Sequence, residues 1–348
     1  MDEQHGQAGV ERTVGDPAAS PPSATLIGRF FVVPAILVSL LICLAIVVVL
    51  FGGTSVGQRP SIDDLISTIE SGGGKHTAGV MLFPADREVW QAAQELATRL
   101  ARKDAELPAD KIEPTAQRIA KILQSITPRG SDDDSVATKQ RFLILALARL
   151  GTPTAVGTIA GYLGNADPLL RQAALAGLME MRDVPEVRRR LPDVIARLED
   201  ESTAVQIVAC AAIGTLADQQ DAAATRALRN KLVGDREVQW NAALALAKLG
   251  SRSGKAVLLN MLDRGFWEKG RVQYQDASDQ VDRPFTAREI EGYLVVAIDA
   301  AGKLHDPELD ASIERLRSDP SVAVREAARA AVKATIPSTA TAALEPRN

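Results

Sequence analysis

Residues 236–250 read REVQWNAALALAKLG, and residues 87–100 read REVWQAAQELATRL. A chain that says nearly the same thing twice repeats either a site or a structural unit, and the sequence in between distinguishes the two. Take Gln239 as an anchor. Small residues follow at Ala242 and Ala245, and aliphatic ones at Leu246 and Leu249. Offsets of three, six, seven and ten fall on one face of an α-helix, so the phrase is a buried helical stripe.

The stripe recurs. Gln206 is followed by Ala209, Ala212, Ile213 and Leu216, and Arg171 by Ala174, Gly177, Leu178 and Met181. Gln140 introduces Leu143, Ala146, Leu147 and Leu150; Leu294 introduces Ala297, Ala300, Ala301 and Leu304; Arg325 introduces Ala328, Ala331 and Val332. From Gln140 to Arg325 the anchors stand 31, 35, 33, 55 and 31 residues apart, so four spacings are near one value and the fifth carries about 22 extra residues. A fixed period in this range is the signature of a helical solenoid. A second apolar stretch separates successive phrases, so each unit is a pair of helices. Asp167-Pro168 and Asp319-Pro320 put a capping acid before a proline at the first helical position. Gly151 and Gly250 follow the last aliphatic position, where a left-handed residue closes a helix.

The segments DPLLRQAALAGLMEM (167–181) and DPSVAVREAARAAV (319–332) resemble the second helix of HEAT repeats. The resemblance covers residues 137–336 well and 62–136 poorly, and the whole is similar to membrane-anchored bacterial HEAT-repeat proteins of the armadillo type. It implies a curved stack of helix pairs whose second helices line the concave side, and it implies no reaction. Gln206 and Gln239 depart from the pattern, which places Arg at the anchor.

Composition agrees with an all-α class. The chain of 348 residues is 46% hydrophobic but only 4% aromatic, so its core is built from Ala, Leu, Val and Ile. These residues favour helices that touch closely. A net charge of −4 argues against nucleic acid as the partner. Cys43 lies in an apolar segment and Cys210 stands alone, so no intrachain disulfide is expected.

That segment is FFVVPAILVSLLICLAIVVVLF, residues 30–51, with 22 uncharged positions. At helical rise it spans roughly 33 Å, the thickness of a bilayer core. It is too long for the apolar part of a cleaved signal and no small-residue cleavage site follows, so an uncleaved single-span anchor in the cell membrane is expected. Arg12, Arg29 and the amino terminus precede it, against Arg59 beyond, which places the leader inside and the bulk outside the cytoplasm. Residues 1–29 and 337–348 have nothing to bury and read as a disordered leader and tail, with 52–61 a linker.

Catalytic motifs fail on context. Gly53-Thr54-Ser55-Val56-Gly57 lacks the strand and helix a nucleophile elbow needs. Residues 71–76, SGGGKH, lack the first glycine and the Ser or Thr of a phosphate loop. His5, His76 and His305 have no second ligand at metal-site spacing, and Asp132–Asp134 lacks the remainder of a calcium loop. The run Arg188–Arg190 is either a solvated face or a contact for an acidic partner. No metal, cofactor, small-molecule substrate or catalytic residue is expected. The expectation is a non-enzymatic membrane-anchored scaffold for a protein partner; the alternative is an enzyme on a HEAT-like frame, of the chromophore-lyase or nucleic-acid-base kind.

The irregular unit supplies the candidate contact. Residues 264–285 hold Phe266, Trp267, Tyr274 and Phe285 in a chain poor in aromatics. Insertions in solenoids emerge on one edge, often a binding edge. These four side chains either meet a partner or fold back to plug the gap that the longer connection opens.

Overall fold

The computed structural model describes residues 60–72, 85–101, 107–126, 134–275 and 280–335. The leader, the apolar segment 30–51, most of the linker and the tail lie outside the described residues, and with them the expectations made there. Among the described residues no helix is long and apolar enough to cross a membrane.

Helices α1 (Ile62–Glu70), α3 (Ala109–Ser125) and α5 (Pro153–Gly161) alternate with α2 (Ala85–Leu100), α4 (Asp134–Leu150) and α6 (Pro168–Glu180). A short turn of helix, α7 (Pro185–Arg188), leads into α8 (Leu191–Ala196) and α9 (Thr203–Leu216), then α10 (Ala222–Asn230) and α11 (Arg236–Lys248). Next come α12 (Lys255–Met261), α13 (Arg264–Lys269), strands β1 (Arg271–Gln275) and β2 (Gln280–Pro284), and finally α14 (Ala287–Gly302), α15 (Pro307–Arg315) and α16 (Val322–Thr335). The second helices α2, α4, α6, α9, α11, α14 and α16 pack in that order, each on the next, and the first helices lie against them as a second layer. Where the repeat is hard to read in the sequence, α1 and α2 still form a pair in the same stack, and α3 pairs with α4.

The stripe found in the sequence is the seam between units. Ala242, Ala245, Leu246 and Leu249 are buried, as are Ala209, Ala212, Ile213 and Leu216. Small residues matter because the backbones nearly touch. A Cβ added at Gly214 in α9 would fall 2.9 Å from the Cα of Ala245 in α11, closer than any side chain tolerates. Gly250 closes α11 at φ 72, and the Ser251 amide donates back to Leu246 O at 2.8 Å.

The anchor position has a job that periodicity does not reveal. Arg171 Nη1 donates to the carbonyls of Asn165 at 2.8 Å and Ala166 at 3.0 Å. Arg325 Nη1 does the same with Asp319 and Pro320, at 2.7 and 2.9 Å. The two departures keep the contact with one donor each: Gln206 Nε2 reaches Asp200 O at 2.7 Å, and Gln239 Nε2 reaches Gly234 O at 2.8 Å. At these four positions the anchor ties its helix to the loop that leads into it, and a primary amide suffices; Gln140 donates to the Tyr162 hydroxyl instead, and Leu294 has no side-chain donor.

One expectation is corrected. Asp167 caps α6 as expected, accepting from Leu169 N at 2.8 Å. Asp319 does not cap α16, which begins at Val322 behind the Ser321 hydroxyl. The Asp319 carboxylate accepts instead from Ser321 N at 2.8 Å and faces Arg264. The all-helical class holds, with one small hairpin added to it. The insertion folds as α13 followed by an antiparallel hairpin that pairs Arg271 with Pro284 and Tyr274 with Val281. Val, Tyr and Gln alternate in RVQYQ, which suits a strand, and Pro284 stands at the strand end, where no donor is needed.

Candidate functional site

Trp267 sits at the centre of the insertion and is fully buried. Its indole Nε1 donates to Met261 O at 2.9 Å, so the one polar atom of the ring is satisfied at the end of α12. Tyr293 of α14 stacks flat on it, with centroids 4.4 Å apart and planes 4° from parallel. Trp240 of α11 lies 4.7 Å away edge-on. Phe266 and Phe285, both half-buried, meet Trp267 edge-to-face at 5.2 and 5.4 Å. Three of the four aromatics named from the sequence thus come together in an interior cluster, and their packing is that of a plug between α11, α12 and α14. Tyr274 lies apart in β1, and its side chain is outside the described residues. Trp240 and Tyr293 complete the cluster and were missed. The readable signal was Trp240 at the position after the anchor, which is only partly covered in Gln172 and Ile207.

Charged clamps hold the insertion. Arg264 makes a bidentate pair with Asp319, at 2.7 and 2.6 Å. Burial pulls the Asp319 carboxyl up, but the Arg264 guanidinium and the Ser321 amide outweigh it and hold the group below the usual carboxylate range. Arg283 grips Glu289 at 2.8 and 2.7 Å, while Glu289 closes a capping box with Thr286 at the start of α14. The Arg283 contact, then the Thr286 amide and hydroxyl, hold the Glu289 carboxyl down at about 2. Arg236 lies 5.4 Å over the Trp240 ring and donates to Arg271 O at 2.9 Å, which fastens the hairpin to α11.

A second feature is the outer face of the second-helix layer. Two, five or eight residues past an anchor, a further set of apolar side chains is only partly covered, although Ala148, Ala173 and Ala247 at the same offsets are buried. Phe142 and Leu145 on α4, Met179 on α6, Val208 and Ala211 on α9, and Leu244 on α11 are half-buried there. Cations stand at the C-terminal margin of this apolar band. Arg149 pairs with Glu180 at 3.3 Å and Lys303 with Asp299 at 2.7 Å, while Lys248 is exposed.

Two further places are a buried thiol and a groove. Burial pushes the Cys210 thiol up to about 12, so it stays protonated and is a packing residue. A groove of about 950 Å³ opens between the end of α3 and the starts of α4 and α6. Its polar lining includes Gln124, Gln140, Arg141, Tyr162 and Asp167; Gln140 Nε2 donates to the Tyr162 hydroxyl at 3.5 Å, which donates to Leu123 O at 3.3 Å. Among the described residues no cluster of His, Cys, Asp and Glu could hold a metal ion.

Residues 191–271 match a family model described as HEAT repeats. The match runs from α8 to the start of β1, and the anchoring bonds at Arg171 and Arg325 carry the same device to units on either side of it. No curated protein matches the chain. Among solved structures, the complex of CpcE and CpcF of phycocyanin lyase from Nostoc sp. PCC7120 is similar at 14% identity, over 81% of this chain and 97% of that one, with a TM-score of 0.45. A designed armadillo repeat protein in complex with the peptide (KR)4 is similar at 17% identity, over 78% of this chain and all of its own, with a TM-score of 0.39. Neither similarity transfers a function.

Proposed function

We propose that this chain is a non-enzymatic scaffold, held in the cell membrane by residues 30–51, that binds a protein partner along its second-helix layer. The observation that carries the reading is the apolar band of Phe142, Leu145, Met179, Val208, Ala211 and Leu244. It crosses four successive units; Phe142, Met179, Val208 and Leu244 rest in part on the core, and the apolar area they leave open is more than the stack covers. A band of this kind suits a protein segment that presents apolar side chains in a row, with acidic groups at the cationic margin. The insertion supports the same role indirectly, because its clamped aromatic plug keeps α14 and α16 stacked on the units before the gap.

The test places a photo-crosslinking residue at Leu145, Ala211 or Leu244 in the full chain, in its own membranes, with Ala196 on the first-helix side as control. The reading expects one adduct of common mass from the three second-helix positions and none from Ala196. Absence of an adduct from all three would overturn it.

A further inference from the structure

The chain carries 44 acids against 40 lysines and arginines, yet α10 (AAATRALRN) and α12 (KAVLLNM) contain no carboxylate. On α10, Ala224 and Leu228 face the core, so Arg226 and Arg229 project outward together with Ala222 and Ala223. Both arginines are exposed, and neither makes a hydrogen bond or ion pair with the described residues. Asp221 and Asp235, the acids nearest in the chain on either side, are engaged elsewhere, as is Glu199 of the preceding unit. Arg188 holds Asp221 at 2.7 Å, Lys231 holds Glu199 at 2.8 Å, and Asp235 caps α11. That also resolves the run Arg188–Arg190, whose first member is a bridge between units.

A second, independent observation lies at the end of the same helix. Val233 is 82% exposed, the largest exposure among the large hydrophobic residues described. It sits on the turn between α10 and α11, which Gly234 closes at φ 111, with Lys231 before it and Arg236 after. A protruding aliphatic side chain at the end of an Ala-rich helix that carries two exposed arginines is what binding at a lipid headgroup boundary requires.

We propose that α10 and the turn after it make a second, peripheral contact with the bilayer, taking anionic headgroups on Arg226 and Arg229 and burying Val233 at their boundary. The proposal rests on residues 30–51 being the anchor. Ten linker residues, 52–61, extend at most about 35 Å, so the stack stays within reach of the leaflet. Two or three cations bind an anionic surface weakly from free solution, and tethering supplies the concentration that makes the contact persist.

The experiment uses the full chain, with Cys43→Ser, reconstituted in phosphatidylcholine vesicles with or without phosphatidylglycerol. A fluorophore on Val233→Cys is read against a quencher attached to headgroups, with Ala176→Cys as the probe on the other layer. Expected is quenching at position 233 only when phosphatidylglycerol is present. It should be abolished by high salt and by Arg226→Glu with Arg229→Glu, with none at position 176. A chain that floats with both vesicles but is unquenched at 233 keeps the anchor and overturns the docking, leaving the arginines to an acidic polypeptide. One that floats only with phosphatidylglycerol and is released by salt keeps the docking and overturns the anchor. Flotation with neither vesicle overturns both.

Discussion

Ala242, Leu246, Arg171 and Trp267 show four ways in which single side chains hold one stack. Ala242 is fully buried where α11 meets its neighbours, so Ala242→Leu should overpack the seam at a cost of roughly 1–3 kcal/mol. Leu246→Ala leaves a cavity and should cost roughly 2–5 kcal/mol. Urea unfolding of both variants checks the pair, and unchanged midpoints would contradict the seam. Arg171 is subtler. Its guanidinium holds two loop carbonyls and also Asp200 at 2.7 Å, with both side chains buried. Arg171→Ala strands a buried carboxylate and should cost about 3–5 kcal/mol. Arg171→Gln should cost measurably less, because Gln206 and Gln239 make the loop contact in their own units. Equal losses for the two variants would show that the Asp200 pair, not the loop tie, is what the anchor supplies.

Among the elements, the insertion tests how local clamps add up. Trp267→Ala removes the centre of the aromatic cluster and should cost on the order of 3–5 kcal/mol, seen as a lowered Tm. The Arg283–Glu289 clamp predicts a pH dependence. Glu289 is held well below its ordinary value of 4.5, at about 2. A lowered carboxyl stabilises the fold fully above the ordinary value and loses that contribution as pH falls through the lowered one. Stability should therefore decline from about pH 4.5 towards about pH 2, and Glu289→Gln should be less stable at neutral pH and lose less over that window. Chemical denaturation at a series of pH values reads both. The repeating second helices were legible because one buried face writes the same offsets each time. The hairpin was not, because five-residue strands inside an unmatched insertion carry no period. The Asp319 reversal is one of register: like Asn165 and Asp200 it stands six residues before its anchor, accepts from the amide two residues on, and leaves the helix to start later.

At the scale of the molecule, stacking explains both the repeated phrase and the place where a partner would lie. One helix pair cannot bury its own stripe, so each unit hands its exposed seam to the next. Phe142, Met179, Val208 and Leu244 rest in part on the core, and the apolar area left open beside them from α4 to α11 is what the scaffold reading uses. Of the candidate site, the sequence showed the aromatic residues but left open whether they plug or bind, since burial is decided by α11 and α14, which contribute Trp240 and Tyr293 from outside the insertion. If residues 30–51 span the bilayer, the full chain should remain with membranes through carbonate and high-salt washes, and intact protein in the soluble fraction would contradict the anchor. The most direct measurement of the central claim is the crosslink from Ala211 in a chain carrying Leu145→Asp and Leu244→Asp. Leu244 stands on α11, next to the helix of Ala211, and Leu145 on α4, two second helices along on the other side. The account predicts loss of the adduct while the Tm stays within a few degrees of the unaltered chain, and an adduct of undiminished yield would contradict it.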